Sequence, residues 1–304
     1  MRHPFNSRAI MRVYAATLTI GIAYGISISL TPLVLNKHHF SESAIGALAA
    51  IFATGIILMS LPVGGLIRRF SARNALRVAI VGYAVAVACF PWPQSFAGVA
   101  VVRVIDGACS VGIWVSCETI LLAQAEKKRK AFVTSLYAIS MSMGYVIGPI
   151  VARIVRALVG EDRAMPASFG ASGVIAMCSL VFIWGLAKDA HIHVEGVPDP
   201  SEVLPNEQTL AHAQATGSDA PLTMGGVLWK IKTSCFATFS YGYFQASVVL
   251  FLPLYLMKEK NILEEQTILI PAFFAAGMLL FSNIAGRLGD RRGHLRVMRL
   301  LSVV

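Results

Sequence analysis

The chain has 304 residues, of which 56% are apolar and 14% are charged, and its formal net charge at pH 7 is +10. Predominantly apolar runs of about eighteen residues or more recur along it, and runs of that length need lipid around them. The composition excludes a water-soluble domain. Because the positive residues lie between the apolar runs, the charge does not indicate nucleic-acid binding.

Eight helices long enough to span a membrane are predicted in chain order, at 11–35, 43–67, 75–92, 96–123, 131–157, 168–187, 228–257 and 265–288. About eleven residues follow Gly293, and a helix of that length crosses only half of a hydrocarbon core. We therefore expect an all-α membrane protein with a six-helix bundle at 1–188. An incomplete second bundle at 228–304 would hold helices 7 and 8 and the start of helix 9.

The placement of lysine and arginine sets the expected orientation. With the N-terminus inside, nineteen of these residues fall on the inner side, six fall outside, and Arg103 lies within helix 4. Inner loops of membrane proteins carry this excess of positive charge. We expect a multi-pass protein with a cytoplasmic N-terminus.

Two segments of the chain resemble each other about 220 residues apart. Pro253 follows Pro32 by 221 residues, and Gly286 follows Gly64 by 222 residues. In each segment a polar turn and an apolar helix separate the proline from the glycine. A repeat with so little slippage indicates a duplicated transmembrane hairpin, of the kind from which many transporters are built.

Helices 1 and 7 are repeat partners and offer the candidate cavity residues. Duplicated transporter folds place the ligand between the repeats, near the bilayer midplane. Helix 1 carries Tyr24 and Ser27, and helix 7 carries Tyr241 and Gln245. Polar-tipped aromatic side chains suit contact with a small ligand. The alternative is that these side chains pack against neighbouring helices.

Helix 4 carries its polar groups on one face. At about 100° per residue, Arg103, Asp106, Trp114 and Glu118 fall within about 120° of one another. Arg103 and Asp106 are three residues apart and can pair. Ionisable groups at membrane depth normally face a cavity or a partner, so these four residues are the candidate proton-coupling group. One alternative is that Arg103 and Asp106 form a purely structural pair. The other is that Glu118 reaches the membrane interface or pairs with an arginine at a helix end.

Residues 189–227 are predicted to form an acidic cytoplasmic linker between the two bundles, because this stretch contains six acids and four prolines but no lysine or arginine before its end. Its histidines, His191, His193 and His212, form either a weak metal-binding patch or a set of solvated side chains. The five cysteines of the chain form no CxxC pair. We predict neither a metal site nor a cofactor.

The turn after helix 8 carries Gly286, Asp290, Arg291 and Gly293 at a spacing that resembles the cytoplasmic loop motif of the major facilitator superfamily. In that family this turn latches the two halves together on the inner side. The resemblance therefore implies a gating role for these four residues. The alternative is that the arginines of this turn only orient the protein in the membrane. The resemblance of the sequence to the superfamily extends over essentially the whole chain, and it implies the fold of that superfamily.

The turn after helix 2 is a second, altered copy of this motif. It keeps Gly64, Arg69 and Arg73, but Arg68 stands where the family usually has an acid and Ser71 stands where it has glycine. The resemblance implies a gating role here too. The alternative is that these arginines only orient the protein in the membrane.

Helix 5 carries Gly144, Gly148 and Pro149 in a pattern that resembles the antiporter motif of the superfamily, although Ala152 and Arg153 replace its closing glycine pair. Glycines four residues apart also permit close helix crossing, and we favour that packing interpretation.

Arg103, Asp106 and Gly107 resemble the helix 4 motif of the superfamily. Arg68, Trp114 and Glu118 resemble the drug-transporter-like, YcaD-like branch of bacterial permeases.

The sequence thus predicts a secondary transporter, not an enzyme, in the inner membrane of a bacterium. Its expected partners are the lipid bilayer, protons and a small-molecule substrate. The leading expectation is proton-coupled efflux of small amphipathic compounds by alternating access. The alternatives are import of a small metabolite, or a non-transporting fragment or membrane sensor. Because about four helices of such a fold are missing, we expect no transport by the 304-residue chain alone, unless a full-length chain supplies the missing helices.

Overall fold

The computed structural model describes residues 8–125, 130–184 and 232–292. These residues form helices and no strand. The helices are α1 (Arg8–Lys37), α2 (Glu42–Phe70), α3 (Ala72–Cys89), α4 (Phe96–Gln124), α5 (Lys130–Val159), α6 (Glu161–Trp184), α7 (Lys232–Ala246), a π-helical turn (Ser247–Phe251), α8 (Leu252–Lys260), the one-turn α9 (Glu264–Thr267) and α10 (Ile270–Arg292).

Within the described part of the chain, seven helical segments are long and apolar enough to cross a membrane: α1 to α6 and the segment Glu264–Phe281. This confirms the predicted all-α membrane fold. The predicted helix 7 at 228–257 corresponds to α7, the π-helical turn and α8. The π-helical turn ends at Phe251, just before Pro253, which lacks the N–H needed to continue a regular helical ladder.

The contacts divide the chain into two compact units. The first comprises Met1–Ala190 together with Val248–Val304, and the second comprises His191–Ser247. In the described part of the second unit, the rings of Phe239 and Tyr243 stack with their centroids 6.4 Å apart. The predicted linker at 189–227 lies outside the described residues.

Helix α1 is the central helix of the first unit. In its most apolar stretch 78% of the residues are buried, against 17% in α2. It packs mainly on α5 and α6, whereas α2 packs on α4, and α3 packs on α4 and α6. Two hydroxyls tie α1 to its neighbours, since Tyr14 donates to the Val133 carbonyl at 3.0 Å and Ser172 donates to the Ala23 carbonyl at 2.7 Å.

Helices α1 and α5 cross through two pairs of glycines. A Cβ atom on Gly21 would lie 2.7 Å from the Met141 carbonyl oxygen, and one on Gly25 would lie 3.0 Å from the Gly148 Cα. A Cβ atom on Gly144 would lie 2.6 Å from the Gly21 Cα. Only hydrogen fits between these backbones, which confirms the packing interpretation of Gly144 and Gly148 on α5.

A second close crossing joins α2 to α4. A Cβ atom on Gly55 would overlap the carbonyl of Val104, and one on Gly107 would overlap the carbonyl of Phe52. The absence of both Cβ atoms lets α2 approach α4 at the level of the charged residues on α4. The glycine of the helix 4 motif therefore has a packing role.

Ser71 joins α2 to α3 in a backbone conformation that glycine adopts most easily. Its φ is 72° and its ψ is 149°, and its Oγ accepts a hydrogen bond from the Asn74 N–H at 3.4 Å. A side chain in this region costs roughly 1–3 kcal/mol. This strain gives a physical reason for the glycine that the family has at this position.

Replacing Ser71 with glycine is expected to raise the free energy of unfolding by about 1 kcal/mol, because relief of the strain exceeds the few tenths lost from the helix cap. Thermal unfolding of the detergent-solubilised protein measures the change. Ser71→Ala is the matched control, since it keeps the strain and loses the cap, and its midpoint should fall. A lower midpoint for Ser71→Gly would contradict this account.

Candidate functional site

The centre of the candidate site is an ion pair on α4, buried inside the first unit. The Arg103 Nη1 donates to Asp106 Oδ2 at 2.9 Å, and the two side chains are only 12% and 6% exposed. Ser110, one turn further along, donates to the other carboxylate oxygen at 3.5 Å. The pairing predicted from the spacing of Arg103 and Asp106 is confirmed.

Two aromatic rings hold the Arg103 guanidinium in place. Its central carbon lies 4.4 Å from the centroid of the Phe52 ring on α2 and 5.9 Å from that of Phe90. Its Nε is shielded from solvent and has no hydrogen-bond partner in the described part of the chain. A cation over an aromatic face gains about 2 kcal/mol or more when desolvated, so the rings offset part of the cost of burying this charge.

Tyr24 on α1 is at the centre of an aromatic cluster near this pair. Its ring centroid lies 4.4 Å from that of Tyr83, 6.1 Å from that of Trp114 and 6.2 Å from that of Tyr145. Tyr24 and Tyr83 are almost fully buried. Their hydroxyls are shielded from solvent and make no hydrogen bond of good geometry with the described residues.

Serines surround these two hydroxyls. Ser110 lies beside the Tyr24 hydroxyl, and Ser27 and Ser172 lie beside that of Tyr83. The predicted cavity residues Tyr24 and Ser27 therefore lie inside the first unit, where they pack among these groups.

Glu118 lies apart from this cluster. It is exposed and further along α4, and it interacts electrostatically with Cys117 and Tyr137. No ion pair joins it to another described residue. The helical face that carries Arg103 thus extends from a buried pair to an exposed carboxylate.

The remaining predicted residues lie elsewhere. A Cβ atom on Gly64 would meet nothing within 4 Å. Arg68 and Arg69 are exposed at the end of α2, and Arg73 is half-buried in α3. Gln245 is half-buried on α7. The structure describes five predicted residues only in part or not at all. For Tyr241, Gly286, Asp290 and Arg291 only the helical backbone is described, and Gly293 lies outside the described residues.

Four aromatic members of the site were not predicted from the sequence: Phe52, Tyr83, Phe90 and Tyr145. A signal for Tyr83 exists, since it follows Leu76 and Ile80 at helical spacing on the buried face of α3. The spacing reveals the buried face but not the helix that packs on it. Phe52 and Tyr145 carry no comparable signal.

Ion pairs join the helices at one end of the first unit, which we call the ion-pair end. Lys258 of α8 donates to Glu42 of α2 at 2.9 Å, and Arg156 of α5 lies 2.7 Å from Glu264 of α9. Arg153 adds a longer contact to Glu265 at 3.9 Å.

His38 lies in the loop between α1 and α2 at the ion-pair end. Burial lowers the pKa of this side chain, although a hydrogen bond with the Pro93 backbone opposes the shift. A lowered pKa keeps the imidazole neutral at pH 7. His38 therefore adds no charge to this end.

These features define a class of protein: a helical, multi-pass membrane protein with a buried Arg–Asp pair at its centre. No group of His, Cys, Asp and Glu suited to a metal ion occurs among the described residues. Over residues 13–304 the sequence matches the Major Facilitator Superfamily. The chain belongs to that superfamily.

Solved structures of several transporters share the fold. The D-xylose–proton symporter is 17% identical, with a TM-score of 0.66 over 93% of this chain and 69% of its own. A bacterial homologue of the human lysosomal transporter Spinster, inward-facing and occupied, is 14% identical, with a TM-score of 0.67 over 95% of this chain and 62% of its own.

A POT family transporter in complex with a thioalcohol-conjugated peptide is 13% identical, with a TM-score of 0.65 over 94% of this chain and 70% of its own. The chain thus spans about two thirds of the length of these proteins, and less than two thirds of the Spinster homologue. Among curated proteins, no sequence match was found.

Proposed function

We propose that this protein is a secondary transporter that couples proton movement to the efflux of small amphipathic compounds by alternating access. The observation that carries the proposal is the buried pair of Arg103 and Asp106. Charged groups at membrane depth are costly, and where they occur they commonly belong to proton or substrate pathways. A pair retained at this cost inside a transporter fold suits a coupling role.

The chemistry of the pair gives a way to couple. Protonation of Asp106 would remove its charge and its attraction for Arg103. The guanidinium would then lose its only carboxylate partner in the described part of the chain, while the contacts with Phe52 and Phe90 would remain. The uncompensated buried cation would favour another arrangement of the surrounding helices, so one proton would bias a conformational equilibrium.

The ion-pair end supports alternating access. Its contacts join helices of the six-helix part, α2 and α5, to the segments α8 and α9 that follow the predicted linker. Such pairs are partly exposed and individually weak, so they can break and reform. We propose that they close this end of the transporter in one of its states, and that this end faces outward in the bacterial inner membrane.

The direction of transport rests on the helix 5 resemblance. Gly144 and Gly148 resemble the antiporter motif, which favours efflux, and import of a small metabolite is the alternative. The sign of the gradient distinguishes them. In liposomes containing a full-length version, an antiporter accumulates substrate when the lumen is acidic, and a symporter does so when the outside is acidic.

Glu118 is proposed as a second proton-carrying group. Glu118→Gln in a full-length version should lower pH-driven accumulation about fivefold and flatten its pH dependence, since the coupling free energies of such sites commonly correspond to about 5- to 150-fold effects. The measurement is accumulation in liposomes across a series of pH gradients. Unchanged accumulation with an unchanged pH dependence would remove Glu118 from coupling.

A further inference from the structure

A basic cluster begins at the end of α2 and continues into α3. It consists of Arg68, Arg69, Arg73 and Arg77, and the sequence has no Asp or Glu between Glu42 and Asp106. The cluster also lies near the N-terminus of α3, where the helix dipole adds positive potential and where the first turn carries no acid. This end of the molecule therefore attracts anions.

Arg77 has the most specific geometry of the four. Its Nε and Nη2 are shielded from solvent and have no hydrogen-bond partner among the described residues. These two nitrogens form one edge of the guanidinium, and their N–H bonds point the same way. Such an edge matches two oxygens of a phosphate or carboxylate group, and an unpaired cation of this kind needs such a partner.

Trp184 lies against the Arg77 guanidinium. It is the last residue of α6, and the central carbon of Arg77 lies 4.9 Å from the centroid of its ring. Trp184 is 73% exposed. Tryptophan is typical of the level of lipid headgroups. Arg77 also lies near the membrane surface, because it is only about 8 Å from the start of α3.

Apolar side chains continue from both residues along the outside of α3 and α6, which pack on each other. On α3, Val81 and Val85 follow Arg77 at spacings of four residues, and both are exposed. On α6, Val174 and Val181 precede Trp184 on the same face and are also exposed. A charged group at one end of two apolar stripes has the shape and chemistry of a phospholipid site.

We propose that Arg77 and Trp184 bind the phosphate of an anionic phospholipid, whose acyl chains lie along the two valine stripes. Arg77 donates two hydrogen bonds to the phosphate through Nε and Nη2, and Trp184 holds the guanidinium in plane. Basic pockets between membrane helices bind such headgroups in other proteins. This inference goes beyond the proposed transport function and does not depend on it.

Lipid binding to the full-length protein tests the proposal by native mass spectrometry in detergent, with phosphatidylglycerol and phosphatidylcholine as the two probes. The wild type should prefer phosphatidylglycerol. Arg77→Gln should weaken phosphatidylglycerol binding by more than about tenfold, whereas the matched control Arg68→Gln should weaken it by less than about fivefold, the effect of one surface charge. Arg77→Lys should resemble Arg77→Gln, because it keeps the charge but loses the paired N–H groups.

Four results would overturn the proposal: no lipid preference in the wild type, equal losses for the two glutamine variants, full binding by Arg77→Lys, or displacement of the lipid by inorganic phosphate alone. The last would mean that the site takes a soluble anion. If Arg77→Gln fails to fold, Trp184→Leu replaces it, since this variant leaves every charge in place. It should still weaken phosphatidylglycerol binding several-fold, and unaltered binding would contradict the site.

Discussion

Asp106→Asn in a full-length version is expected to reduce proton-driven accumulation at least about tenfold, within the range of coupling free energies between linked sites. Asparagine has nearly the same shape as aspartate but can neither bind nor release a proton. Arg103 would keep a polar neighbour and lose its carboxylate partner. The measurement is accumulation of substrate in liposomes under an imposed pH gradient.

Counterflow separates loss of coupling from loss of folding. In this assay labelled and unlabelled substrate exchange across the membrane without an imposed pH gradient. Asp106→Asn should retain this exchange. Asp106→Glu is the matched control, since it keeps a titratable carboxylate and should keep gradient-driven accumulation. If Asp106→Asn accumulates substrate as the wild type does, the buried pair is structural, and the coupling role assigned to it is wrong.

Gly144→Ala is expected to lower the free energy of unfolding by about 2–3 kcal/mol, the usual cost of overpacking a tight contact. The new methyl group would lie 2.6 Å from the Gly21 Cα and from the Ile22 backbone nitrogen. Both are backbone atoms of α1, so no side chain can rotate to make room. Helices α1 and α5 must separate, and thermal unfolding in detergent measures the cost.

Gly170→Ala on α6 is the control for helix propensity. Nothing lies within 4 Å of a Cβ atom at Gly170, so this substitution should be neutral or should stabilise the helix by up to about 1 kcal/mol. Comparison of the two variants isolates the contact with α1. Equal effects at the two positions would show that the glycines of α5 are not needed for the crossing.

Hydropathy predicted most of the helices because each apolar run is nearly as long as its helix. The predicted 96–123 and 131–157 correspond to Phe96–Gln124 and Lys130–Val159. The start of α6 was placed too late, at 168 instead of Glu161, because charged residues at 161–163 precede its apolar run. Acidic residues suit a helix N-terminus, and hydropathy alone does not use that signal.

The site was partly predictable for a different reason. The pairing of Arg103 with Asp106 follows from helical spacing within one helix, so the sequence was sufficient to predict it. The contacts of Tyr24 with Tyr83 and of Arg103 with Phe52 join different helices. They depend on which helices cross and how closely. The close crossing at Gly107 belongs to the tertiary structure, and the hydrophobic periodicity of a single helix does not predict it.

Glu118 shows the limit of the helical wheel. It lies within about 60° of Arg103 around α4, yet it is exposed while Asp106 is buried. A wheel gives the direction of a side chain but not what lies there at each depth. In the turn between α2 and α3, Ser71 was identified because the family usually has glycine at this position. Its positive φ gives the physical reason for that glycine.

The most direct test of the central claim is gradient-driven flux through the wild-type protein in a full-length version. Liposomes with an acidic lumen would be given a small amphipathic fluorescent cation, with protein-free liposomes and a protonophore as controls. We predict accumulation that requires both the protein and the gradient and that stops when the protonophore is added. Equal dye levels with and without the gradient, whether the lumen or the outside is acidic, would contradict a proton-linked transporter.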